Sequence, residues 1–490
     1  MLLALPVCWH FWLKFQVSTF RTELVARGEK MEVMEIAPLP PVGQNGAATF
    51  MNAANQLQDM PFELWIERMK HTGPGRARIA SKGIEIFPET WQRSKKTNLW
   101  PAFGAMIETN ESALSAIRSA VESSTLHFDA DFGAAPNLNF VHLRSLLNAS
   151  RHLSWAVLWR LRQGQYAAAW ENLHAGARLC QIYSGEPWLI PQLVRYSMAA
   201  QATSATWEAL QHESWNDEQL MQLQVAWQST SFLHDAAKAF EMERALLKTS
   251  AGLARDDYFA NSLSLNGPTA PTESSFIELV DRVAKLTVDP KEGWEEFCNR
   301  YPRYWVWKWW GSYGEDLRLL QTWQDAIGTF RRAAKSRELA AELRGFDKRH
   351  PKPKHDDDDD GANKFSVGYA RASFNGLEMV ATAETERVML VTALALKRFH
   401  LRRHRLPATL HELVPEFLPV IPVDWMNGQP LRYRPNPDGT FLLYSVGSDG
   451  KDGGGQGDGL GSRGVLNHGR DKVWPMPATE EDLKGETNGT

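Results

Sequence analysis

Through the middle of the chain, apolar residues recur three and four positions apart over stretches too long for strands, and this spacing commits most of the sequence to amphipathic helices. His142 to Arg162 carries Leu146, Leu147, Leu153, Val157, Leu158 and Leu161, and Tyr166 to Tyr183 carries Trp170, Leu173, Ala177 and Cys180. Only Gln163, Gly164 and Gln165 separate them. Glycine takes the left-handed backbone of a helix end without steric cost, so the pair predicts a helical hairpin turning at Gly164. Asn110 to Ser123, Ser231 to Leu253 and Leu317 to Phe346 have the same spacing.

The hairpin resembles a tetratricopeptide unit, with Gly164, Tyr166, Ala169, Leu173 and Gly176 where such a repeat places small and aromatic packing residues, and Pro191 to Trp227 reads as a degenerate neighbour. The expected fold is mainly α: a TPR-like helical middle followed by a small α+β domain. Residues 1–37 read as an apolar segment and helix ending at the prolines Pro38, Pro40 and Pro41, 38–141 as helices and loops, and 142–348 as the helical domain. The run Asp356 to Asp360 marks 349–375 as a solvated acidic linker, 376–475 form the α+β domain, and 476–490 read as a disordered tail. The stretch His71 to Pro101 reads as a surface loop.

A net charge of −4, from 54 basic and 58 acidic residues, leaves no global pull toward nucleic acid, whose phosphates need a clustered basic surface, so no nucleic-acid partner is expected. Three cysteines, Cys8, Cys180 and Cys298, exclude a disulfide framework and fit no metal knuckle; one Cys180–Cys298 bridge stays open beside the reading of buried free thiols. Twenty tryptophans predict Trp-rich helix seams or interfacial surfaces. The densest run, Tyr301 to Trp310, fits either.

Leu2 to Leu13 is apolar apart from Pro6 and His10. A bilayer span takes about 20 apolar residues, so this run is short by itself. Trp9, Phe11, Trp12, Lys14 and Phe15 nevertheless match the aromatic and cationic belt found where a membrane segment meets water. The expectation is the distal end of a membrane anchor whose true start lies upstream, the alternative being an interfacial helix. Cys8 lacks the small residues a lipidation site requires before it.

The C-terminal region changes period. Gly376 to Arg405 reads as one long helix ending in Lys397, Arg398, His400, Arg402, Arg403, His404 and Arg405, cations suited to the negative end of the helix dipole. His400 and His404 have metal-ligand spacing, but the guanidinium groups around them disfavour a cation. Thr409 and Glu412 have capping-box spacing and predict a short helix to Phe417. Gln429 to Arg434 and Thr440 to Val446 are strand-like, with turn residues Asn436, Pro437, Asp438 and Gly439 between them. The segment Ser445 to Asp458 then supplies oxygen donors on a glycine-loosened backbone, as a Ca2+ loop requires.

Two motifs, Val423-Asp424-Trp425-Met426-Asn427-Gly428-Gln429-Pro430 and Ser445-Val446-Gly447-Ser448-Asp449-Gly450, make this region resemble the C-terminal domain of the major pseudopilin of type II secretion systems. The likeness covers about 100 residues. It implies a long helix packed on a small sheet and a calcium ion held by the carbonyl of Val446 and the carboxylate of Asp449, with Asp458 or Asp471 adding another carboxylate. After Gly455 the spacing is longer than in pseudopilins, and the processed N-terminal segment of that family has no counterpart here. The whole layout resembles uncharacterised bacterial membrane-anchored envelope proteins.

These readings lead to an expected membrane-tethered, extracytoplasmic scaffold or binding protein. It would sit in the inner membrane through its N-terminus, with its bulk facing the periplasm, a calcium-stabilised C-terminal domain, a protein or peptide partner and no catalysis. The rival is a helical-core hydrolase or metal enzyme using Glu241, Glu243 and Glu384, with Arg244 and Glu386 nearby, since carboxylates on facing helices can act as acid and base or bind metals. The Glu-x-x-His pattern of di-metal bundles is absent, as are Gly-x-Ser-x-Gly, His-Glu-x-x-His and a phosphate loop. A pilus-like subunit is a third class.

Overall fold

A computed structural model describes residues 4–38, 45–61, 71–73, 76–77, 100–123, 125–128, 140–183, 186–256, 307–350, 364–455, 471–474 and 476–477. In chain order its helices are α1 (Ala4–Ala26), α2 (Val33–Ile36), α3 (Ala47–Ala54), α4 (Trp100–Thr109), α5 (Glu111–Ser123), α6 (Val141–Arg162), α7 (Tyr166–Ile182), α8 (Leu189–Leu210), α9 (Asp217–Gln228), α10 (Phe232–Asp256), α11 (Ser312–Ser336), α12 (Leu339–Arg349) and α13 (Lys364–Arg403). A π-helical turn, Trp307–Gly311, leads into α11. The fold is mainly helical, with a small antiparallel sheet at the C-terminal end.

The hairpin of α6 and α7 turns where the spacing places it, with Gly164 at φ 70°. Helix α8 packs on both. Helix α9 starts at a reciprocal cap: Gln219 N–H donates to Asn216 Oδ1 (2.9 Å) and Asn216 N–H donates to Gln219 Oε1 (3.1 Å). The stretch expected as one helix from Leu317 to Phe346 is two. Arg337 adopts φ 60° and its N–H closes on Ala333 O (2.8 Å), ending α11 in a left-handed cap. That bend frees the first N–H groups of α12 for other partners. The acidic linker is shorter than expected, since α13 already runs from Lys364; residues 351–363 lie outside the described set.

Helix α13 is the spine. It contacts α8, α9, α10, α11, α12 and the sheet, and from Gly376 to Phe399 no residue is fully exposed. Gly376 sits at a close approach, where a Cβ would meet Leu189 Cδ1 at 3.3 Å and Phe240 Cζ at 3.4 Å. One apolar core runs from Val17 through Trp207, Trp227 and Trp323 to Trp474. Most of the tryptophans described are therefore seam residues, each contributing on the order of 2–3 kcal/mol by burial.

Strands β1 (His71–Gly73) and β2 (Arg76–Ala77) form a short hairpin inside the region expected as loop. Strand β3 (Arg432–Pro435) pairs antiparallel with β4 (Phe441–Ser445), and β4 with β5 (Lys472–Trp474). The turn is as expected, Asn436 N–H donating to Thr440 O (2.8 Å) with Gly439 at φ 84°. Strand β6 (Met476–Pro477), within the expected tail, pairs parallel with β2. After α13 comes a 3-10 turn, Leu410–Leu413, in place of the expected helix to Phe417. The Thr409 side chain makes no cap; Glu412 instead accepts the Ala408 N–H (2.6 Å) and pairs with Arg405 (2.6 Å).

Helix α4 lies so close to α6 that a Cβ on Gly104 would stand 2.2 Å from the Trp159 ring. Gly104→Ala is expected to destabilise the protein by about 1–3 kcal/mol through this overlap, read as a lowered midpoint in thermal denaturation.

Candidate functional site: the aspartate loop and the interior carboxylates

The two loop motifs of the C-terminal region, Val423 to Pro430 and Ser445 to Gly450, are joined by Asp424 of the first. Asp424 is 1% exposed. Its Oδ1 accepts the Met426 N–H (2.9 Å) and the Ser445 hydroxyl (2.8 Å), and its Oδ2 accepts the Val446 N–H (2.9 Å). The loop Val423 to Pro430 closes on itself through Asp424 N–H to Gln429 O (2.7 Å) and Gly428 N–H to Asp424 O (2.9 Å). Burial pushes the Asp424 carboxyl above its usual range, while these donors pull it down.

The glycine-rich segment is held by a second carboxylate. Asp471 accepts the Gly453 N–H (3.1 Å) on Oδ1 and the Gly455 N–H (2.7 Å) on Oδ2. Gly455 must be glycine, since φ is 79° and a Cβ would meet Leu442 Cδ2 at 2.8 Å. Asp452 accepts the Gly454 N–H (2.9 Å), Arg432 Nε (3.0 Å) and the Tyr444 hydroxyl (2.9 Å), which hold its carboxyl below the usual range.

The tail is fastened to the helical body at α12. The freed N–H groups of Leu339 and Ala340 donate to Trp425 O (2.7 Å) and Met426 O (3.1 Å), so the first motif caps the helix. One turn further on, Arg344 Nη1 donates to Ser448 O (3.2 Å) and Asp449 O (2.9 Å).

Of the calcium ligands implied by resemblance, Val446 adjoins Asp424, and Asp471 binds the glycine segment. Asp449 uses Oδ1 on the Lys451 N–H (2.9 Å), and Asp458 lies outside the described residues. The donor set fits a calcium ion in part only: among the described residues no three His, Cys, Asp or Glu side chains come together as a metal set. At Ser448 and Asp449 a guanidinium already meets the carbonyls. His400 and His404 are also separated in role, because α13 ends at Arg403 and His404 turns to φ 54°.

The carboxylates expected of an enzyme work as helix caps and ties. Glu243 accepts the Leu189 N–H (3.1 Å) at the start of α8, and Glu384 accepts the Phe232 N–H (3.1 Å) at the start of α10, each carboxyl satisfying an N–H at the end of a neighbouring helix. Glu384 also pairs with Arg387, Glu241 with Arg331 (2.7 Å) and Glu386 with Lys472 (2.6 Å). Arg244, wholly buried, donates to Glu29 (3.1 Å), to Lys30 O (2.7 Å) and to Gln324. Burial alone would raise the Glu29 carboxyl; Arg331, Gln324 and Arg244 instead hold it at about 2.

One buried cluster has no counterpart in the motif reading. Glu186 accepts the Tyr183 hydroxyl (2.9 Å) and meets His142 Nε2 at 2.9 Å, with Phe128 stacked 4.3 Å from the His142 ring. Nothing in the spacing of these residues marks them. Cys180 is buried, and desolvation pushes its thiol up to about 12; Cys298 lies outside the described residues.

Compared with known proteins, the chain matches no family model, no curated sequence and no solved structure.

Two expectations follow. Asp424→Ala leaves two N–H groups and a hydroxyl without an acceptor and is expected to cost about 3 kcal/mol, with Asp424→Asn costing roughly 1, in thermal or denaturant melts. For Glu243, desolvation by burial raises the carboxyl from 4.5 to about 7. Between those values the native state holds a proton that the unfolded chain has released, so stability falls as pH rises through this window and stays reduced above it. Glu243→Gln should therefore be more stable than the wild type by roughly 2–3 kcal/mol at alkaline pH and equal to it in mild acid, in paired melts across pH.

Proposed function

We propose that the protein is a membrane-associated, extracytoplasmic scaffold or binding protein whose helical body presents a rigid surface and whose tail is a locked cap on it. The observation that carries this reading is the use of the interior carboxylates: Glu243 and Glu384 cap neighbouring helices, and Glu29 and Glu241 bind guanidinium groups, so the interior is a framework. In this reading the α6–α7 hairpin is TPR-like, and the groove for a protein or peptide partner lies on the helical body. The compartment rests on the likeness of the tail to pseudopilins.

Membrane association is supported by α1, where Trp9, Phe11, Trp12 and Phe15 are exposed together. No helix among the described residues is long and apolar enough to cross a membrane. The contact proposed for α1 is an interfacial one, resting on this exposed aromatic face.

The same reading assigns a calcium ion to the aspartate loop, with Asp449 and the Val446 carbonyl as donors beside Asp471. Bound calcium would add its binding free energy to the folding of the tail, about 2.7 kcal/mol at a hundredfold excess over Kd. The expected outcome is a melting temperature that rises with calcium after chelator treatment, and an Asp449→Ala variant that melts like the chelated wild type with or without calcium. Identical melts of the wild type with and without calcium would overturn the calcium assignment and leave the fastening to the protein's own hydrogen bonds and ion pairs.

A second reading, a helical-core hydrolase, is favoured by Glu243, whose carboxyl is poised near neutrality as a general acid or base must be. Glu241 and Glu384, its expected partners, are engaged by Arg331 and Arg387.

A further inference from the structure

Six exposed aromatic residues fall on two segments: Trp9, Phe11, Trp12 and Phe15 on α1, and Trp309 and Trp310 on the π-helical turn, with exposures from 39% to 65%. The two segments lie 300 residues apart in sequence and are joined directly. Trp9 Nε1 donates to Trp310 O (3.1 Å), His10 Nδ1 lies 3.3 Å from Trp309 O, and the His10 ring stands 4.9 Å from that of Trp309. Trp12 stacks on Trp9 at 5.0 Å.

The first half of α1 is apolar on two opposed faces. Leu13, Val17 and Leu24 form a buried stripe on the side packed against α11, with Leu13 Cδ1 3.6 Å from where a Cβ of Gly314 would stand. Val7, Phe11 and Phe15, four apart, make the opposite stripe and face solvent. A core helix does not expose such a stripe, and a contiguous aromatic surface of this kind marks a binding face.

Charge identifies the occupant. No Asp or Glu occurs between Met1 and Thr22 or between Phe297 and Gly314, while these stretches hold Lys14, Arg21, Arg300, Arg303 and Lys308. On α1 the exposed aromatics stand with exposed Lys14, and the helix carries no acid before Glu23; an indole and phenyl surface with a cation matches the headgroup boundary of an anionic bilayer. There the rings enter the acyl edge and the cations meet lipid phosphates.

We propose that α1 together with Trp309 and Trp310 forms a two-element seat for the surface of an anionic phospholipid bilayer, with α1 lying in the boundary rather than crossing it. This deepens the membrane association proposed above and rests on it.

The test uses the full chain and vesicles of phosphatidylcholine with or without phosphatidylglycerol. Binding by flotation should require phosphatidylglycerol and weaken with salt, and brominated lipid should quench part of the wild-type tryptophan fluorescence. Phe11→Ser with Phe15→Ser, and separately Trp309→Ser with Trp310→Ser, should each reduce partitioning about tenfold or more. The Phe11/Phe15 variant should melt like the wild type, because those side chains face solvent, and circular dichroism should show both variants folded at the assay temperature. If the Trp309/Trp310 variant partitions like the wild type while the Phe11/Phe15 variant does not, the tether through α1 stands and the two-element seat falls. Absence of binding and quenching on every vesicle would overturn both. A concentration-dependent dimer dispersed by Phe11→Ser, without vesicle binding, would overturn the seat in favour of self-association.

Discussion

A charge on a buried helix is costly unless a partner meets it, and α13, buried or half-buried from Gly376 to Phe399, meets this constraint at its buried charges. Glu384 reaches the start of α10, Arg387 reaches Trp227 O, and Arg398 binds Asp217 (2.8 Å) and Gln224 (3.1 Å) on α9. Each bond both satisfies a buried charge and sets the rotation of the spine against a neighbour. Because the sheet packs on the same helix, the orientation of the tail is inherited from these contacts.

The same logic extends outward from the spine. Arg195, 1% exposed, binds Asp235 (2.6 Å) and Cys180 O (2.7 Å), joining α8 to α10 and to the end of α7. Arg244 joins α10 to the link after α1. Buried pairs of this kind add little net stability relative to apolar packing, because desolvation offsets their attraction. Breaking one is costly, since the remaining charge is stranded. They therefore act chiefly as a filter on wrong helix pairings in a body whose apolar faces alone would tolerate many.

This body carries two different surfaces. The tail is a polar lock, in which carboxylates bind backbone N–H groups that a short glycine-rich segment cannot pair within itself. The aromatic patch of α1 is left apolar and acid-free. The fold thus carries a fastened C-terminal cap and, apart from it, an exposed aromatic face.

Much of this was legible in the residues. Heptad-like spacing located α6, α7 and α10 nearly to their ends, Gly164 located a turn, and Asn436 to Gly439 located the β3–β4 hairpin, because these signals are local: they concern backbone preference and one amphipathic face. The break at Arg337 was not legible, since arginine is an ordinary helix former there and the left-handed cap exists to let Leu339 and Ala340 reach carbonyls 86 residues away. The cap at Thr409 was legible in spacing yet not formed, because Glu412 found a guanidinium and a different N–H. In the tail, the motifs identified the loops but not Asp424 as the residue joining them, which depends on the β3–β4 register. The sequence alone determined the helical class, the place of the small sheet and the composition of the aromatic segments. Tertiary structure decided which charges meet and which distant aromatics share a face, because those outcomes depend on helix rotation and crossing, quantities that no short-range preference encodes.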